Sequence, residues 1–150
     1  MRPEHADQVV AIEREAFPSP WSRNAFLQEV LTNRLASYFV ALTAGEVAGY
    51  AGFWVILDEA HITNLAVRSD CRRRGVGSAL LEELLVEAAC RGAVKITLEV
   101  RRSNLKAQNL YRQYGFIVCG VRPRYYNEED ALIMWLERLP SCRRAAAGQD

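Results

Sequence analysis

The segment from Ala60 to Val100 narrows the fold more than any other part of the chain. "AHITNLAV" reads as a strand, and "VKITLEV" reads as another. Between them the period changes. Leu80, Leu84 and Ala88 form one row and Leu81, Leu85 and Ala89 a second, while Glu82, Glu83 and Glu87 point away. That is an amphipathic helix, with Gly92 as its stop. Strand, helix and strand in succession make a right-handed β-α-β unit, which pairs its strands in parallel.

The flanks extend this core. "HADQVVAIEREAF" places Ala6, Val9, Val10, Glu13 and Phe17 at helical spacing, and Pro18 to Pro20 end that helix. Ser22 can cap a second helix, with Phe26, Leu27, Val30 and Leu31 on one face. "ASYFVALT", the short turn "AGE" and "VAGYAGFWVIL" form a hairpin ahead of the third strand. After the β-α-β unit come a helix over "NLKAQNLYRQY", capped by Ser103 or Asn104 and ended by Gly115, and then the strands "FIVCGV" and "DALIMWLE". The polar stretch "RPRYYNEE" between those strands reads as a loop. The sum is a mixed α/β (α+β) layer fold: one domain over residues 1–140 and a loose tail over 141–150. "MRP" reads as the end of an edge strand, so a few residues are expected to precede it.

The entrance of the central helix raises a chemical question. "CRRRGVG" puts Arg72, Arg73 and Arg74 where the helix dipole is already positive, an arrangement that disfavours added cations. The run is either a solvated basic turn or the counterpart of an anion. Gly75 and Gly77 leave backbone amides uncovered at the helix start, which makes the second reading a phosphate cradle. The spacing excludes two familiar cradles. A G-x-G-x-x-G fingerprint fails because Leu80 holds its last position, and no Gly-Lys-Ser/Thr follows.

Composition limits what that anion can be. The formal net charge is +1, so the molecule as a whole is no polyanion binder and no direct nucleic-acid contact is expected. Half of the residues are apolar, as in ordinary globular domains, and no run suits a signal peptide or a membrane span. Cys71, Cys90, Cys119 and Cys142 show no CxxC spacing and no histidine pattern, so no metal site is expected. Scattered cysteines of this kind read as reduced thiols, which points to a soluble cytoplasmic protein.

The pattern R-x-x-G-x-G, with Arg72, Gly75 and Gly77 in the fixed places, resembles the GNAT superfamily of acetyl-CoA-dependent N-acetyltransferases. "ITNLAVRSDCRRRGVGSALL", "LEVRRSNLKAQNLYRQYGF", "RPRYYNEEDALIMWL" and "AFPSPWS" together resemble its RimI-type ribosomal-protein alanine N-acetyltransferases, across nearly the whole chain and in order. The resemblance implies a mixed central sheet of about six to seven strands flanked by about four helices. It implies acetyl-CoA as cosubstrate and no metal. Leu65, Ala66 and Val67 are implied to meet the pantetheine and the acetyl carbonyl by backbone. Arg72, Arg73, Arg74, Gly75, Val76, Gly77 and Ser78 are implied to hold the pyrophosphate, and Asn104 to touch the cofactor near its pantetheine end.

The same resemblance makes Glu99 the general base and Tyr111 the general acid. The chemistry suits those residue types. An α-amine titrates near pH ~8, so a carboxylate, directly or through a water, can take its proton, and a phenol can protonate the departing thiolate. Each residue also has a plainer reading: Glu99 as a surface partner of Arg101, Tyr111 as a half-buried core tyrosine. Trp21, Tyr125 and Tyr126 fall in stretches that flank the acceptor in the family, or they simply pack. His5 and His61 read as structural, and Trp54 and Trp135 as core. No cysteine has an activating base, so direct attack in a ternary complex is expected. The implied partner is an acceptor N-terminus, most plausibly alanine on a small-subunit ribosomal protein, met by a monomer or weak dimer. A GNAT enzyme for small amines or lysine side chains, and a coenzyme A-binding module without catalysis, are the two alternatives.

Overall fold

The computed structural model of the chain describes residues 1–142. It resolves into two compact units, Met1–Trp54 with Thr63–Leu85 and Val55–Ile62 with the described residues from Val86 onward. The strands form one six-stranded sheet in the order β1-β2-β3-β4-β6-β5.

The first unit contains α1 (Ala6–Ala16), α2 (Arg23–Thr32), β1 (Ala36–Thr43), most of β2 (Glu46–Ile56), the second half of β3 (Glu59–Val67) and the start of α3 (Val76–Cys90). Ser22 caps α2 as its residue type requires, its hydroxyl accepting from the Ala25 amide at 3.1 Å. β1 and β2 pair antiparallel from Ala36↔Trp54 to Thr43↔Glu46. Their turn needs positive φ at both central positions, 52° at Ala44 and 82° at Gly45. The core joins Val9, Val10, Ile12, Phe26, Val47, Tyr50 and Ala66. Phe26 meets Tyr50 edge-on at 5.6 Å, and burial of each such ring contributes on the order of 2 kcal/mol.

The second unit contains β4 (Lys95–Arg101), α4 (Leu105–Gln113), β5 (Ile117–Tyr126) and β6 (Glu129–Leu136). β3 and β4 pair in parallel over Glu59↔Lys95, Ala60↔Ile96 and His61↔Thr97, as the β-α-β reading requires. β6 pairs antiparallel with β4, setting Glu99 opposite Ile133, and antiparallel with β5. Asn104 caps α4 by accepting from the Ala107 amide at 3.2 Å, and Gly115 ends the helix at φ 94°.

Four expectations are corrected. "RPRYYNEE" is not a loop, because β5 runs on through Arg122 to Tyr126 and only Asn127 and Glu128 turn the chain. The polar run made the stretch look irregular, and Pro123 lies within it. That proline is tolerated because β5 is an edge strand whose register shifts between Arg122 and Tyr126. The start is not a strand either: Pro3–His5 is a 3-10 turn, and the Met1 amine donates to the Tyr38 carbonyl at 2.8 Å. Trp54 and Trp135 are half-buried rather than core, Trp54 donating its indole N–H to Glu29 at 2.8 Å. Finally, Cys90 and Cys142 form a disulfide across 52 residues, so only Cys71 and Cys119 are free thiols. Sequence spacing carries no signal for that pair, since α3 ends beside Cys142 only in three dimensions. The tail expected over 141–150 lies outside the described residues from 143 onward.

A cross-link closing so long a loop stabilises by on the order of 2–4 kcal/mol. Cys142→Ser is therefore expected to lower Tm by several degrees relative to the oxidised chain. It should not lower Tm relative to the chain kept in dithiothreitol. Paired thermal melts check both statements.

No helix among the described residues is long and apolar enough to cross a membrane.

Candidate active site

The first unit holds the arginine–glycine turn. After β3 the chain makes a 3-10 turn at Ser69–Cys71, extends at Arg72 (φ −68°) and enters the left-handed region at Arg73 (φ 65°) and again at Gly75 (φ 78°). A left-handed arginine is uncommon. The Gly75 carbonyl accepts the first helical bond from Ala79 at 3.0 Å, so the amides of Val76, Gly77 and Ser78 begin α3 without a preceding turn to receive them. Arg73 and Arg74 are exposed, whereas the Arg72 Nε reaches back to the Val67 carbonyl at 3.4 Å. Exposed guanidinium groups thus stand beside free helix-start amides, an arrangement that can receive an anion.

Two further residues shape this unit, and neither stood out in the sequence. A Cβ on Gly49 would lie 2.8 Å from the Ala66 carbonyl oxygen, 2.9 Å from Leu80 Cδ1 and 3.2 Å from Val76 Cγ1. Glycine on β2 thus permits the close approach of Ala66 and the first turn of α3. Glu13 is 2 % exposed and accepts from the Trp21 amide at 2.9 Å, from the Tyr50 hydroxyl and from Asn64 Nδ2 at 3.4 Å. It fixes the Trp21 segment and also Asn64, the residue just before Leu65. Trp21 itself packs its ring 5.2 Å from Phe26 and 6.3 Å from Tyr38.

The second unit holds Glu99 and Tyr111, the residues expected from the sequence to handle protons. Glu99 projects from β4 with its side chain 8 % exposed. Its partner is not Arg101, which pairs with Glu129 at 3.3 Å and lies 4.2 Å from the Tyr126 ring centroid. Instead Glu99 Oε2 meets His61 Nε2 at 2.5 Å, and Oε1 meets Arg122 Nε at 3.3 Å. His61, read as structural in the sequence, is therefore a direct partner of Glu99. The β3/β4 register explains the contact: His61 stands beside Thr97, two residues before Glu99 on the same face. Burial pushes the Glu99 carboxyl up, but the hydrogen bond and charge of His61 and the charge of Arg122 outweigh it and hold the group below its ordinary range. At neutral pH it is a carboxylate.

Tyr126 donates its hydroxyl to the Glu99 carbonyl at 3.1 Å, and Tyr125 stands perpendicular to it with ring centroids 5.0 Å apart. Tyr125 is 50 % exposed. Tyr111, on α4, is buried with its ring 5.5 Å from Phe116. Burial raises its pKa, so the phenol keeps its proton at neutral pH, as a proton donor must. Asn104 spends its side-chain oxygen on the α4 cap. Of the free thiols, Cys71 is buried with Sγ 3.5 Å from Asp70 Oδ1, and Cys119 is exposed on β5.

The model of the acetyltransferase (GNAT) family matches residues 6–116. The chain belongs to the GNAT acetyltransferase family. Members of this family use acetyl-CoA, and the GNAT chain described here is an N-acetyltransferase. It is 40% identical over 131 residues to the [ribosomal protein bS18]-alanine N-acetyltransferase of Escherichia coli (strain K12), covering 83% of this chain and 86% of that one. The crystal structure of the ribosomal-protein-S18-alanine N-acetyltransferase from Escherichia coli superposes with a TM-score of 0.84 at 34% identity, covering 96% of this chain and 94% of that one. Ard1 from Thermoplasma volcanium superposes with a TM-score of 0.87 at 29% identity, covering 93% and 95%. The mixed six-stranded sheet and four α-helices are thus the GNAT fold.

Proposed function

We propose that residues 1–140 act as one domain that transfers acetyl from acetyl-CoA to the N-terminal alanine of a small-subunit ribosomal protein. The GNAT relatives named for bS18-alanine acetylation support the acceptor. The observation that carries the proton chemistry is the Glu99 carboxylate, nearly enclosed and held on Oε2 by His61.

In this reading Arg72 to Ser78 bind the pyrophosphate through backbone amides and guanidinium groups, and Asn104 touches the pantetheine end. The backbone of Leu65, Ala66 and Val67 pairs with the pantetheine and offers an N–H to the carbonyl oxygen as it becomes an oxyanion. Trp21, Tyr125 and Tyr126 flank the acceptor peptide. The Glu99–His61 pair takes the proton that the α-amine loses. It does so as the nitrogen of the neutral amine forms its bond to the thioester carbon, and the carbon–sulfur bond then breaks. Tyr111 gives its proton to the coenzyme A thiolate. No covalent acetyl-enzyme is needed in this reading: among the described residues Cys71 bonds Asp70 and Cys119 bonds the Ile117 carbonyl, and neither partner is a base for the thiol.

The test is mass spectrometry of a peptide library incubated with acetyl-CoA and the full chain. Acetylation of free N-terminal alanine peptides, in preference to lysine peptides, polyamines and aminoglycosides, is expected. Preference for a small amine would overturn the acceptor assignment. Acetyl-CoA binding without turnover on any amine would support a coenzyme A-binding module instead.

A further inference from the structure

The Glu99 carboxylate carries two cationic or potentially cationic partners, and only one of them suits the removal of a proton. His61 on β3 can accept and pass on a proton. Arg122 cannot, since a guanidinium stays charged across the working range. Arg122 reaches Glu99 from two strands away. The β5/β6/β4 registers run Arg122↔Ala131↔Arg101 and Gly120↔Ile133↔Glu99. The small residues Ala131 and Gly120 leave room for the Arg122 side chain to cross β6 diagonally. It arrives 3.3 Å from Oε1 and is itself 56 % exposed. The outermost group on this carboxylate is therefore a permanent cation.

Such an arrangement matters for an amine acceptor. An incoming ammonium must displace Arg122 or share the carboxylate with it, whereas a neutral amine meets no such repulsion. At pH 7 roughly one α-amine in ten is neutral, against fewer than one lysine side chain in a thousand. We propose that Arg122 is a specificity-determining residue that shields Glu99 from cations, so that the acceptor is admitted as its neutral amine and an N-terminal α-amine is favoured over a lysine. This rests on the acetyl-transfer reading above and adds the charge state in which the acceptor binds.

The groups facing Glu99 are His61 from β3, and Arg122, Tyr125 and the Tyr126 hydroxyl from β5. Arg122 also lies 5.9 Å from the Tyr125 ring centroid. Burial raises Tyr125, and it raises Tyr126 to about 12, so neither phenol titrates between about pH 7 and 9. The α-amine of the acceptor does titrate there.

The experiment compares the full chain with Arg122→Gln and Arg122→Lys. One readout is KM for an N-terminal alanine peptide across about pH 7 to 9. The other is the Kd, by direct titration, of the same peptide with its N-terminus trimethylated, a fixed cation that cannot react. In the unaltered chain KM should fall several-fold as pH rises toward ~8 and then level off, following the neutral amine. Arg122→Gln should flatten that dependence and bind the trimethylated peptide at least about fivefold more tightly. Arg122→Lys, which keeps the charge, should resemble the unaltered chain. Equal Kd for the trimethylated peptide in all three proteins, or a KM independent of pH before substitution, overturns the proposal. So does Arg122→Lys behaving like Arg122→Gln. The titration needs no turnover. A chain that excludes the trimethylated peptide through Arg122 yet acetylates no peptide would leave this inference standing and refute the acetyl-transfer reading.

Discussion

Glu99→Gln is expected to lower kcat by about two to three orders of magnitude while changing acetyl-CoA affinity by less than about twofold. The glutamine keeps the shape and can still hydrogen-bond His61, but it cannot take a proton. Glu99 is not among the residues proposed to hold acetyl-CoA, so its binding is expected to stay nearly unchanged. Steady-state kinetics on an N-terminal alanine peptide, with direct titration of acetyl-CoA, checks the split. Equal kcat across several pH values would remove Glu99 from the proton path, and a parallel loss of cofactor binding would make the residue structural. His61→Ala should fall between the two proteins, because it removes the Oε2 partner and leaves the carboxylate.

The same residue predicts a pH dependence of stability. Glu99 has a lower pKa folded than unfolded, because His61 and Arg122 together outweigh burial. Its contribution is therefore present above the unfolded value of about 4.3 and is lost as pH falls through the lower folded value. The Tm gap between the unaltered chain and Glu99→Gln should be steady near neutrality and close below about pH 4. A gap that widened in acid would contradict the pairing.

How far the sequence could be read depended on distance along the chain. The alternation of "AHITNLAV" and the rows through Leu80 and Leu81 exposed β3 and α3, because local periodicity reports a buried face directly. The Arg72–Ser78 turn was legible for the same reason: cations and glycines at a helix start are a local signal. Glu99 was recognisable as a residue within its motif, but its environment was not. Its contacts with His61 and Arg122 depend on two strand registers, and neither register is written in a single strand. β5 was read too short because its second half is polar, which an edge strand tolerates along with Pro123. Gly49 looked like one more glycine in a strand, since the Ala66 carbonyl above it belongs to another segment. The Cys90–Cys142 bond was hidden in the same way.

Gly49→Ala turns that last kind of contact into a measurement. A single methyl at position 49 would stand 2.8 Å from the Ala66 carbonyl oxygen, nearer than real Cβ atoms come to any neighbour. Leu80 can turn its Cδ1 away, but the carbonyl is backbone of β3 and moves only with the strand. The displaced segment is the one proposed to pair with pantetheine, and Val76, also in contact, opens the helix proposed to hold the pyrophosphate. The substitution is expected to lower stability by about 1–3 kcal/mol and to weaken acetyl-CoA binding at least about tenfold in the protein that remains folded. Gly52→Ala supplies the comparison. Its methyl would collide with the Tyr38 ring, at 2.0 Å from Cε1, and its nearest neighbours all belong to that ring rather than to Ala66 or Val76. It should destabilise the first unit while its folded fraction binds acetyl-CoA normally. Titration calorimetry beside thermal melts separates the two variants. If Gly49→Ala binds acetyl-CoA as the unaltered chain does, the close approach of β2 to Ala66 is packing alone and the cradle does not depend on it.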